Sequence, residues 1–251
     1  MKRFIRPGFL PYASHLAGIV GLLLCWWQYA TGIDKKGLFI SAHPAGILLL
    51  ILSAVFLVYL FLCVQPLTAK KSFHKHYPAS PVSFVGCLFA ALGAFCTAVQ
   101  LVVEKVSILH ILTAISALIA GGSFLLIALC RKQGKTPNYL LSVATVLFFF
   151  LLLFCRSQTW GKEAQFYSFG FTMFALICVL LSSYYRTALN ILGGNLRKVV
   201  FFSQAALFFC YLSIPAGNLL FYIPMILWLG ADMPNLCPLR EIPHTCIKEK
   251  E

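Results

Sequence analysis

The chain has 251 residues, of which 60% are hydrophobic and only 11% charged, whereas a soluble domain of this size carries about a quarter of its residues as Asp, Glu, Lys or Arg. That deficit excludes an ordinary soluble globular domain and points to an integral membrane protein. A formal net charge of +13 suggests nucleic acid as a partner only until its distribution along the chain is considered.

Crossing about 30 Å of hydrocarbon as helix takes about 17 to 25 apolar residues. In chain order the apolar runs predict spans at 10–30, 44–64, 82–103, 106–130, 139–155 and 166–185, with a longer run at 199–230. The fold class is therefore all-α, a polytopic helical membrane bundle of seven transmembrane helices. It forms one transmembrane domain over 1–231, followed by a short C-terminal tail over 232–251. Met1-Lys2-Arg3-Phe4-Ile5-Arg6 before the first run has the charge of a secretory signal, but Pro7, Pro11 and His15 interrupt the approach and no A-x-A site follows.

Helices in lipid associate through close packing of small-residue faces, because no hydrophobic drive acts between them. Span 1 offers Ala13, Ala17, Gly21 and Cys25 at four-residue spacing, and span 3 offers Gly86, Ala90, Ala94 and Ala98. These faces predict central positions for both helices; a face left over would serve a homo-oligomer or a membrane protein partner. Span 5, with Phe148-Phe149-Phe150-Leu151-Leu152-Leu153-Phe154, has no such face in that half and is expected to face lipid.

Alternate loops hold Lys2, Arg3 and Arg6; Lys70, Lys71 and Lys75; Arg131, Lys132 and Lys135; and Arg186, Arg197 and Lys198, with no acidic residue among them. By the positive-inside rule these loops are cytoplasmic. The reading is a multi-pass protein of the cell membrane with its N-terminus inside, in contact with the lipid bilayer and not with nucleic acid. The absence of an N-x-S/T acceptor fits a bacterial cytoplasmic membrane. All seven acidic residues (Asp34, Glu104, Glu163, Asp232, Glu241, Glu249 and Glu251) fall in the opposite set. If the last run crosses once, Trp26, Trp27, Trp160 and Trp228 all sit at the outer interface.

Little of the sequence suggests catalysis. No Asp, Glu, Lys or Arg lies in the central part of a span, and H-E-x-x-H, P-loop, G-x-S-x-G and C-x-x-C patterns are absent. Neither an enzyme nor a cofactor is expected. His43, Glu104 and His110 are of zinc-ligand type, but nothing in their spacing brings them together. His74 and His76 read as part of a solvated basic loop, and Cys237 and Cys246 as a candidate disulfide if the tail is outside.

As a straight helix the run 199–230 would measure about 48 Å. Pro215, Gly217 and Asn218 break it at 213–218, and broken backbone is tolerated at membrane depth only against protein or a water-filled cavity. Gln204, Tyr211, Ser213, Pro215, Gly217 and Asn218 are therefore the candidate ligand-binding residues, for a ligand the sequence does not identify. Two geometries fit: one kinked crossing, or two half-helices that return the tail inside. The tryptophan positions and the acidic count favour the single crossing with the tail outside.

The functional expectation is a small permease, or the membrane component of a transporter, for a neutral or amphipathic solute. The alternative is a non-catalytic sensor, anchor or scaffold subunit. A third reading is a metal-dependent enzyme at the outer interface.

Overall fold

Inside a bilayer every backbone N–H and C=O must be satisfied within the protein, which leaves helices as the economical solution for apolar segments of this length. The computed structural model describes residues 7–33, 43–67, 77–104, 107–160, 166–192 and 194–236. Among them the chain forms eight α-helices and no strand: α1 Leu10–Thr31, α2 Pro44–Val64, α3 Pro81–Glu104, α4 Ile108–Gln133, α5 Tyr139–Trp160, α6 Phe166–Leu192, α7 Leu196–Ser213 and α8 Leu219–Asp232. The first seven are long and apolar enough to cross a membrane.

Helix ends are set locally. Pro11 and Pro44 occupy the first turns of α1 and α2, where a missing N–H costs nothing. Gly134 closes α4 in the left-handed conformation with its N–H on the Cys130 carbonyl. Asn195 caps α7 by accepting the Arg197 N–H at 3.0 Å.

The small faces lie at tight helix contacts. Gly86, Ala90, Ala94 and Ala98 are all buried on α3. A Cβ at Gly86 would come within 2.7 Å of Ala231, and one at Gly93 within 2.7 Å of Pro224. On α1 the closest approach is made by Gly18 and Gly21, against Tyr211 and Leu212 of α7. Ala13 and Ala17 are only half-buried.

The last segment departs from the expected single crossing. Ile214–Ala216 forms a 3-10 turn, Gly217 has φ 102° and Asn218 has φ 61°, and α8 then reverses direction. Along α3, Gly86 meets Trp228 and Ala231, Gly93 meets Pro224, and Gln100 meets Asn218, so α8 runs antiparallel to α3. At the start of α7, Arg197 Nε donates to the Leu67 carbonyl just past α2. At the end of α8, Asp232 meets Arg131 of α4. The α7–α8 pair is therefore a hairpin that starts and ends at the arginine-bearing end of the bundle, called the basic end below. The turn forms because Pro215 cannot continue the hydrogen-bond ladder and Gly217 adopts a conformation closed to other residues.

Two further expectations change with it. Trp228 does not share the end of the bundle occupied by Trp26 and Trp27 but is buried near the basic end, against Arg186. Span 5 is not wholly lipid-facing: Phe150 and Phe154 are exposed, but Phe148, Phe149 and Leu152 are buried, and Phe149 stacks with Trp228 at a ring separation of 6.3 Å. The returning α8 supplies the aromatic surface that covers this side of α5. Cys237, Cys246, His74, His76 and the tail beyond Leu236 lie outside the described residues.

Candidate functional site

Three helices each contribute one ionisable side chain to a cluster at the basic end. Arg131 comes from the last turn of α4, Arg186 from the second half of α6 and Asp232 from the last residue of α8. All three are buried or nearly so, with side-chain exposures of 5%, 12% and 3%. Arg131 Nη2 donates to Asp232 Oδ1, and Arg186 Nη1 donates to Oδ2 at 2.6 Å. One carboxylate thus bridges two guanidinium groups, and the cluster carries a formal charge of +1.

Aromatic faces and hydroxyls surround it. The Arg131 guanidinium carbon lies 4.2 Å from the Tyr77 ring centre, and that of Arg186 lies 4.7 Å from Trp228; such contacts stabilise a desolvated cation by about 2 kcal/mol. Burial pushes the Tyr77 phenol up to about 12, so the ring offers its face without adding negative charge. Arg186 Nη2 also reaches Ser203 Oγ at 3.3 Å, and Ser203 shares a 2.6 Å hydrogen bond with Ser182.

Beside the cluster is a cavity of about 60 Å³ lined by Arg131, Arg186, Asp232, Trp228, Ser183 and Thr187, among others. A water needs about 10–15 Å³ of such space, so the cavity has room for a few waters or one small ion. Two buried polar atoms at its wall, Ser183 Oγ and Arg186 Nε, have no protein partner. A donor left unsatisfied in this way costs about 1–3 kcal/mol. Surplus positive charge, orphaned donors and open space therefore coincide, and together they can bind a small anion.

The residues singled out from sequence occupy other places. Asn218 Oδ1 accepts from Gln100 Nε2 at 2.7 Å, and Gln100 also donates to Glu104, which pairs with Arg156 at 3.4 Å. This polar cluster lies at the end opposite Arg131 and Arg186. Ser213 Oγ returns to its own helix at the Phe209 carbonyl, and Tyr211 shares a 3.0 Å hydrogen bond with His15. Pro215 and Gly217 shape the turn. Gln204 is fully buried in α7 with both amide atoms unpartnered. None of these six lines the cavity.

His43, Glu104 and His110 also stay apart. His43 Nε2 meets Thr31 at 3.2 Å, His110 Nδ1 meets Ser107 at 2.9 Å, and Glu104 is engaged as above. No group of three metal-type residues occurs among the described residues.

Arg131, Arg186 and Asp232 escaped the sequence reading because two were assigned to basic loops and one to the tail. The available signal was adjacency: Arg131 directly follows the apolar run 106–130 and Arg186 the run 166–185, so each falls within its helix once α4 and α6 extend to 26 and 27 residues. Comparison with protein families, curated proteins and solved structures finds no match to this chain.

Proposed function

We propose that this membrane protein binds a small anionic solute in the cavity beside Arg131, Asp232 and Arg186, as a compact permease or the membrane component of a transporter. The observation that carries the reading is a buried carboxylate shared by two arginines at the wall of an open cavity. Ionisable groups buried in a membrane bundle are costly and are kept mainly for function. The charge-poor interior read from sequence favours a neutral or amphipathic solute; the buried arginines favour an anion. In this reading the basic end is cytoplasmic, and the solute is met from that side.

The test is thermal stability of the purified protein against a panel of small carboxylates, bicarbonate, phosphate and sulfate, with matched neutral compounds as controls. A ligand present at 100 times its Kd stabilises by about 2.7 kcal/mol. The reading expects anion-selective stabilisation that is lost in Arg186→Gln and weakened in Ser183→Ala, the latter leaving the ion cluster intact. Uptake of the stabilising anion into proteoliposomes separates a permease from a non-transporting sensor, which binds without flux. Equal response to anions and neutral compounds refutes the anion site.

A further inference from the structure

A separate groove lies at the basic end, between the end of α2 and the start of α7. Phe61, Val64 and Gln65 form one wall; Arg197, Lys198, Phe201 and Phe202 form the other. They enclose a groove of about 230 Å³, and no residue of the arginine cavity belongs to it.

The polarity of this groove is graded along the helix axes. Arg197 is followed four residues later by Phe201, Lys198 by Phe202, and Gln65 is preceded four residues earlier by Phe61. Residues four apart share a face one turn, roughly 6 Å, apart in depth. Each helix therefore presents a polar or cationic group at the bundle end and an aromatic ring one turn further in.

The two cations are held in place. Arg197 Nε is tied to the Leu67 carbonyl at 2.7 Å, which leaves its terminal nitrogens for another acceptor. Lys198 Nζ sits 5.1 Å from the Tyr185 ring centre, and Tyr185 stacks on Phe202 at 5.4 Å. Both residues remain exposed, as does Phe61.

We infer that this groove binds an anionic glycerophospholipid, with its phosphate against Arg197 and Lys198 and one acyl chain along Phe61, Val64, Phe201 and Phe202. The charge complements a phosphodiester, and the inward apolar wall complements a chain that a free phosphate lacks. Arg suits the phosphate because its guanidinium offers a forked pair of donors. The groove is thus a lipid site independent of the solute cavity.

Native mass spectrometry of the detergent-purified protein, incubated with equal amounts of phosphatidylglycerol and phosphatidylcholine of matched chains, tests this. Wild type should retain phosphatidylglycerol preferentially. Lys198→Gln should reduce that preference about fivefold, the factor for one lysine near an anionic lipid; Lys198→Arg should keep it, and Lys198→Glu should abolish it. Lys198 is exposed, so none of these changes threatens the fold. Equal retention of both lipids by wild type, or a preference that survives Lys198→Glu, overturns the inference. So does competition by glycerol phosphate at the concentration of the lipid, which would make the groove a phosphate site.

Discussion

Arg186 Nη1 donates to Asp232 Oδ2 at 2.6 Å, joining residues 46 positions apart whose neighbouring charges in the sequence suggest opposite faces of the membrane. Removing the carboxylate leaves two buried cations without a counter-charge, a loss of about 3–5 kcal/mol for a buried pair. Asp232→Asn should therefore lower the thermal midpoint sharply in a fixed detergent. Adding Arg186→Gln to Asp232→Asn should restore part of that loss, since the excess charge falls. If the two changes add within about 0.5 kcal/mol, the residues are not coupled.

The turn between α7 and α8 depends on Gly217, whose φ of 102° and ψ of −175° lie in a region essentially reserved for glycine. A Cβ there would meet nothing within 4 Å, so the cost of Gly217→Ala is backbone strain alone, about 1–3 kcal/mol. Asn218→Gly keeps the positive φ and removes the acceptor used by Gln100, at about 0.5–1.5 kcal/mol. Unfolding measured under one set of conditions should rank Gly217→Ala as the more damaging. The opposite ranking would make the Gln100 hydrogen bond the stronger constraint on the hairpin.

Gln204 carries two unpartnered amide atoms in a fully buried position. Gln204→Leu should raise stability by about 1–3 kcal/mol, the cost of an unsatisfied buried polar group. A midpoint that rises while anion stabilisation is kept separates Gln204 from the solute site. A midpoint that falls would mean that the amide is satisfied in the membrane.

The hairpin also predicts which side the tail occupies. Met233 and Leu236 are buried close to the basic end, so the chain beyond them starts from the face that carries Arg131 and Arg197. With Cys25 and Cys155 replaced, Cys237 and Cys246 should resist a membrane-impermeant thiol reagent in intact cells and react after lysis. Labelling of intact cells would place the basic end outside and reverse the orientation read from charge.

Hydropathy made the seven long helices legible, because a span must be apolar along its whole length whatever it packs against. The hairpin was less so. Pro215, Gly217 and Asn218 marked the break, but a kink and a reversal share the same residues; what separates them is the fit of Pro224 and Trp228 against Gly93 and Gly86, a relation between distant segments. The arginine cluster was hidden for the same reason. Counted by loop, Arg131 and Arg186 are orientation signals, and Asp232 belongs to an acidic tail; only the returning helix makes them neighbours. Phe148 and Phe149 read as lipid-facing because no neighbour was expected where α8 lies.

The order in which the cluster is synthesised follows from its geometry. Asp232 leaves the ribosome 101 residues after Arg131, which at about 5–20 residues per second is roughly 5 to 20 s later. Arg186 precedes Asp232 by only 46 residues, so for the last part of that interval, roughly 2 to 9 s, both guanidinium groups are present in a nascent chain that has no Asp232 carboxylate to receive them. α8 therefore brings the counter-charge to the basic end as well as filling the bundle. A polypeptide halted after Arg186 and before Asp232 would carry both arginines without the carboxylate that bridges them in the folded bundle.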